Sequence, residues 1–158
     1  MERKISHMTR PSWDKIWMDM AKTIAKRSHH PTFQVGAIVV TEDNTQVLSV
    51  GYNGSYKGGP NKPLSEEPGK SGLIHAEINA LLKLDYNNPK KKKLYVTLSP
   101  CPDCARAIVN SNIDTVFYAD EYRNTTGIDI LISAGLNVKR INNEPKIKHF
   151  DAEREGIW

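Results

Sequence analysis

The feature that most constrains this chain is its sulfur. Cys101 and Cys104 are the only cysteines among 158 residues, and both fall in the single run Pro100-Cys101-Pro102-Asp103-Cys104. With no further thiol, neither a disulfide framework nor an all-cysteine metal centre can hold the fold, so an apolar core must do so. At 17.8 kDa and 39% hydrophobic residues the chain is long enough for one such core, burying about two-thirds of its unfolded surface. Any metal drawn to the two thiolates must borrow its remaining ligands from elsewhere. His75-Ala76-Glu77 offers an imidazole and a carboxylate two residues apart. One neutral imidazole and two thiolates make a three-ligand set that leaves a tetrahedral zinc position open, the pattern of a catalytic rather than a structural site.

Read in order, residues 1–11 are a polar tail without periodicity. Trp13, Ile16, Trp17, Met20 and Ile24 then recur at helical spacing, which predicts an amphipathic helix over 12–27 with Ser12 as its N-cap. Residues 33–40 and 46–52 read as strands joined by the turn Glu42-Asp43-Asn44-Thr45, hence a hairpin. Residues 51–72 carry six glycines and three prolines, too punctuated for regular structure, and loops of this length in compact domains are usually functional. A largely buried helix is expected from Leu73 to about 85–89, with His75 and Glu77 in its first turn. A strand over 94–99, a helix from Pro102 to about 112, a strand over 115–119, a helix over 127–134 closed by Gly135 and a strand over 136–141 follow. A C-terminal tail over 143–158 has the composition of a further helix. The domain thus runs over 12–142. The order predicts an α/β/α three-layer sandwich around a mixed sheet of about five strands, with ligands gathering at strand ends where helices begin.

No apolar run approaches the roughly 20 residues of a membrane helix, and the N-terminal residues lack the apolar stretch of a signal peptide. A membrane partner is therefore not expected, and free thiolates suit the reducing cytoplasm. The net charge of +4 and pI near 9.0 favour phosphate-bearing ligands without separating nucleotide from nucleic acid. Lys90-Lys91-Lys92-Lys93 reads as a solvated loop rather than a nucleic-acid contact. His29-His30, before Pro31, reads as a solvated helix exit, and Trp13 and Trp17 as core packing.

Spacing explains how the two motifs can cooperate. Residues three apart share a helix face, so Cys101 and Cys104 reach one ion if the helix starts at the C-x-x-C. The positive end of the helix dipole favours thiolates there. Residues i and i+2 diverge on a regular helix, so His75 and Glu77 address one small volume only where the chain is entering the helix. Glu77 is then a neighbour of the metal rather than a ligand, placed to move a proton for a metal-activated water. A C-x-x-C alone could equally be a redox pair or half of a structural zinc site. A redox pair leaves His75 and Glu77 unexplained, and His7, His29, His30 and His149 offer no fourth ligand at metal-binding spacing. H-x-E with P-C-x-x-C is the signature of zinc nucleobase deaminases.

Beyond this signature the chain resembles the deoxycytidylate deaminases of the cytidine deaminase-like superfamily over about residues 13–141. The resemblance is carried by Arg27-Ser28, Gln34-Val35-Gly36-Ala37, Gly51-Tyr52-Asn53-Gly54, His75-Ala76-Glu77-Ile78-Asn79-Ala80 and Tyr95-Val96-Thr97-Leu98-Ser99-Pro100-Cys101-Pro102-Asp103-Cys104. Arg-Ser and Gly-Tyr-Asn-Gly look like the dCMP branch and unlike the tRNA adenosine deaminases. The resemblance implies hydrolysis of dCMP to dUMP and ammonia, with zinc on His75, Cys101 and Cys104 and Glu77 as proton shuttle. It implies substrate contacts at Asn53 (the sugar end), Ser28 (the phosphate), Arg27, Ala76, Ser99 and Tyr122, with Arg123 beside them. It also implies a homo-oligomer, often a hexamer, and gives no reason to expect a nucleic-acid partner. Residues 55–61 hold no cysteine, which argues against a second zinc in that loop. The alternatives are a deaminase of another cytosine or adenine substrate (cytidine, base-modified dCMP, RNA), or a non-catalytic nucleotide-binding module stabilised by zinc.

Overall fold

Residues 10–141 are described by the computed structural model of the chain; the helix expected within 143–158 and most of the N-terminal tail lie outside them. The first helix, α1 (Trp13–Ala25), begins at Ser12, whose hydroxyl accepts the Lys15 amide at 3.2 Å, satisfying one of the N–H groups a helix start leaves unpaired. It stops two residues before the expected end. The hairpin forms from β1 (Gly36–Thr41) and β2 (Val47–Tyr52). Asp43 closes its turn, accepting both the Thr41 and Thr45 hydroxyls at 2.7 Å and the Thr45 amide at 3.1 Å. The chain continues through α2 (Ala76–Leu81), β3 (Lys92–Leu98), α3 (Pro102–Val109), β4 (Ile113–Asp120), α4 (Thr126–Ser133) and β5 (Asn137–Arg140). Gly135, at φ +90°, ends α4 in a left-handed conformation that favours glycine.

The strands form one sheet in the order β2-β1-β3-β4-β5. β1 runs antiparallel to both β2 and β3, whereas β3, β4 and β5 are mutually parallel. The expected five-stranded mixed sheet is therefore present. Alternation along the buried central strands divides the core in two. Ile38, Val40, Tyr95, Phe117 and Ala119 face α1 through Trp17, Met18 and Ala21. Ala37, Val39, Leu94, Val96, Val116 and Tyr118 face α2, α3 and α4 through Ala76, Ala80, Leu81, Ala105, Ile108 and Leu131. Helices cover both faces, which is the α/β/α sandwich the element order predicts.

Three expectations need correction. The strand β3 starts at Lys92, so two of the four lysines are not loop residues: Lys92 is 3% and Lys93 8% exposed. Their stems pack inside while their ammonium groups find oxygen, Lys92 Nζ donating to the Asn88 and Lys90 carbonyls and Lys93 Nζ to Asn44 Oδ1. Trp13 is 48% exposed and stacks on Trp17, which alone is buried and donates its indole N–H to Asn44 Oδ1. The helix after the long loop starts later than its apolar spacing suggests, because Ile74 pairs with Gly54 in an isolated β-bridge and keeps the chain extended up to His75, and it ends at Leu81, short of 85–89.

Candidate active site

The bridge between Gly54 and Ile74 fixes where α2 can begin. Ile74 donates to the Gly54 carbonyl at 2.8 Å and accepts the Gly54 amide at 3.0 Å. His75 is consequently the N-cap, extended at φ −67° and ψ 152°, and its side chain makes no capping bond. The imidazole is left to point elsewhere. Asn79, one turn on, donates to the Tyr52 carbonyl at 2.9 Å and ties the helix to the end of β2. Cys101 occupies the same place on α3, an extended N-cap whose sulfur accepts the Cys104 amide at 3.4 Å, with Pro102 in the first turn.

The two helix starts bring three donor atoms together. His75 Nδ1 lies 3.2 Å from Cys104 Sγ and 3.4 Å from Cys101 Sγ, and all three atoms lie within 4.8 Å of one another. A tetrahedral zinc, with bonds of about 2.1 Å to nitrogen and about 2.3 Å to sulfur, sets neighbouring donors about 3.5 Å apart, so the set fits such an ion. Among the described residues, no other His, Cys, Asp and Glu side chains converge in this way.

Electrostatics inside the trio follow from one shared proton. The hydrogen bond from Cys104 holds the Cys101 thiol down to about 4, with further help from His75. Cys104, which keeps that proton, is pushed far up by the same bond, by burial and by the Glu77 charge. The hydrogen bond to Cys101 raises the His75 imidazole against the opposing effect of burial. Glu77, in the first turn of α2, is 4% exposed. Burial pushes its carboxyl above the usual carboxylate range, while a hydrogen bond from Cys104 and the His75 charge pull the other way. A buried carboxyl that holds a proton readily, directly beside a metal-binding trio, can accept and return protons.

His75, Glu77 and Cys101 line one wall of a cavity of about 260 Å³. Of the substrate contacts expected from sequence, Asn53, Ala76, Ser99 and Tyr122 also line it. Asn53 is held on both sides of its amide, donating to the Phe33 carbonyl at 2.7 Å and accepting the Val35 amide at 2.9 Å. Ser99 accepts the Tyr122 amide on its hydroxyl at 2.7 Å, so the serine sets the position of the tyrosine. Arg123 also lines the cavity; it lies over the Tyr122 ring and donates to the Pro68 carbonyl at 3.1 Å, fastening the long loop to the end of β4. Arg27 is exposed and Ser28 is buried, and neither lines the cavity; the Ser28 hydroxyl accepts the His30 amide at 3.2 Å.

His30, read from sequence as a solvated helix exit, instead lines the cavity and is half-buried. The signal for it lies in backbone contacts that no spacing rule reports. Residues 66–69 and Ser71 of the long loop line the same cavity.

Comparison with known proteins agrees with this geometry. The family described as "Cytidine and deoxycytidylate deaminase zinc-binding region" matches residues 11–120. The chain is 31% identical over 161 residues to the deoxycytidylate deaminase of Mus musculus, covering 92% of this chain and 87% of that protein. It is 35% identical over 129 residues to the deoxycytidylate deaminase of Mycobacterium phage D29, covering 72% of this chain and 99% of the phage protein. Among solved structures, the dCMP deaminase of cyanophage S-TIM5 in complex with dCMP and dUMP superposes with a TM-score of 0.73 at 33% identity, over 84% of this chain and 99% of that one.

Proposed function

Because the chain belongs to the cytidine and deoxycytidylate deaminase family, we propose that it hydrolyses dCMP to dUMP and ammonia, with zinc on His75, Cys101 and Cys104 and with Glu77 as the proton carrier. The observation that carries the reading is the buried Glu77 beside the His75, Cys101 and Cys104 donor set on the wall of a cavity. Zinc held by that set supplies Lewis acidity, bringing the ionisation of a water toward neutral pH.

The roles of the protein groups follow from their surroundings. A Glu77 carboxylate oxygen takes a proton from the attacking water and gives it to N3 of the cytosine ring, so that C4 is attacked as the ring nitrogen is neutralised. The same carboxyl then carries the second proton to the exocyclic nitrogen. The C4–N4 bond breaks, ammonia leaves, and a C4–O bond remains. Asn53, pinned by Phe33 and Val35, keeps one N–H and one lone pair of its amide oxygen for the sugar. Ser99 keeps its hydroxyl hydrogen, and Ala76 and Tyr122 line the same cavity as His75 and Glu77. Ser28 braces the segment before β1, its hydroxyl accepting the His30 amide and its carbonyl accepting the Gln34 side-chain amide. Two free thiols among the described residues suit a reducing cytoplasm. The family resemblance supports a homo-oligomer, whose size sedimentation would give. No described helix is long and apolar enough to cross a membrane.

Ammonia release from dCMP, deoxycytidine, dCTP and tRNA tests the assignment. Turnover of dCMP above the other three is expected. Preference for deoxycytidine or tRNA would move the chain to another substrate class, and zinc binding with no deamination of any would leave a nucleotide-binding module.

A further inference from the structure

We propose that His30 is a specificity-determining residue that presents its Nε2–H as a fixed donor to the 5′-phosphate of the substrate; this rests on the reading that the substrate is a nucleoside monophosphate. The chain itself sets the tautomer. His30 Nδ1 accepts the amide of Thr32 at 3.1 Å and that of Phe33 at 2.8 Å. A ring nitrogen that accepts two N–H groups carries no hydrogen, so the proton resides on Nε2, and Nε2 is the ring's remaining polar atom. His30 is also held from behind, its own amide donating to Ser28 Oγ at 3.2 Å.

Its place in the cavity points to the phosphate end. The exocyclic amine must meet the donor set of His75, Cys101 and Cys104, where Cys104 and Glu77 are almost fully buried. The far end of the nucleotide then lies toward the more exposed side, where His30 and the half-exposed Phe33 stand with their rings 5.5 Å apart. His30 and Asn53 are braced by the same short segment: Phe33 donates to His30 through its amide and accepts Asn53 through its carbonyl. Sugar and phosphate recognition are thereby built on one backbone turn. Besides Glu77 at the donor set, the carboxylates Glu66, Glu67 and Glu121 line the cavity and would repel a phosphate. Lys70 engages Glu67 at 2.8 Å and Arg140 engages Glu121 at 3.4 Å, which offsets two of these charges. An N–H donor locked in place costs little reorganisation when an oxyanion arrives.

The test separates the two nitrogens. In the zinc-loaded full chain, His30→Asn keeps an acceptor near the Nδ1 position for the Thr32 and Phe33 amides but removes the Nε2 donor, and His30→Gln restores a donor near Nε2. Inhibition of dCMP turnover by dUMP and by deoxyuridine is measured with KM and kcat. For His30→Asn we expect dUMP inhibition to weaken about tenfold or more, the typical range for a lost hydrogen bond to a charged group, with KM for dCMP rising in parallel. Deoxyuridine inhibition and kcat stay within about twofold, and His30→Gln recovers most of the dUMP affinity. Equal weakening of dUMP and deoxyuridine, or no weakening of dUMP, would overturn the proposal. A parent protein that does not turn over dCMP would instead overturn the functional reading and this inference with it, so the two failures are distinguishable.

Discussion

Cys104 Sγ and His75 Nδ1 lie 3.2 Å apart although 29 residues separate them in the chain. The contact joins the first turn of α3 to the N-cap of α2, two helices packed on the same face of the sheet. Metal binding at that contact is therefore coupled to the packing of both helices. Cys104→Ala should lose zinc and stability together. The stability difference from the zinc-loaded parent should be about 2.7 kcal/mol when free zinc is about 100-fold above the parent Kd. Zinc content by elemental analysis and the urea midpoint check this, and a chelator should bring the parent down to the variant.

The seat of α2 depends on a missing side chain. A β-carbon on Gly51 of β2 would stand 2.3 Å from the Ala76 carbonyl oxygen and 2.5 Å from the Ala80 amide nitrogen, both backbone atoms of the helix that carries Glu77. Gly51→Ala must push that helix off the sheet, and overpacking of this kind costs about 1–3 kcal/mol. The expected outcome is a lower urea midpoint together with weaker zinc binding, since His75 moves with the helix. A parent-like zinc affinity in a destabilised variant would separate the helix seat from the metal site.

The hairpin turn carries an acid-sensitive contribution. Hydrogen bonds from Thr41 and then Thr45 hold the Asp43 carboxyl down to about 2, against 3.8 for an ordinary one. A carboxyl lowered on folding stabilises the folded state above the unfolded value and loses that contribution as pH falls through the folded value. The stability margin of the parent over Asp43→Asn should therefore hold steady above about pH 4 and shrink between about pH 4 and about pH 2. Urea unfolding of both proteins across that interval measures it, and a margin that grows on acidification would contradict the assignment.

How far the sequence discloses this site depends on how local each cause is. The metal ligands and Glu77 are legible because helix starts impose them: C-x-x-C works only across one turn, and H-x-E only at a helix entry. The five-stranded sheet follows from buried apolar runs at β1, β3 and β4. Lys92 and Lys93 are misread because a lysine stem buries like an aliphatic chain once a carbonyl or an amide oxygen waits at its tip, and those oxygens belong to Asn88, Lys90 and Asn44. His30 is misread because its role depends on which amides reach Nδ1, a property of the turn over 30–33 and not of any residue spacing. The late start of α2, after an extended segment that runs to His75, depends on the bridge of Ile74 to Gly54, twenty residues upstream of it across the long loop.

Glu77→Gln is the most direct test of the chemistry. It keeps the volume and polarity of the side chain in its buried place but cannot take up and return a proton. Steady-state dCMP deamination, with zinc content and thermal midpoint determined on the same samples, should show parent-like zinc and folding with kcat lowered about 10²- to 10⁴-fold, the range general acid–base groups supply. Parent-rate ammonia release from dCMP by a fully zinc-loaded Glu77→Gln protein would contradict the account.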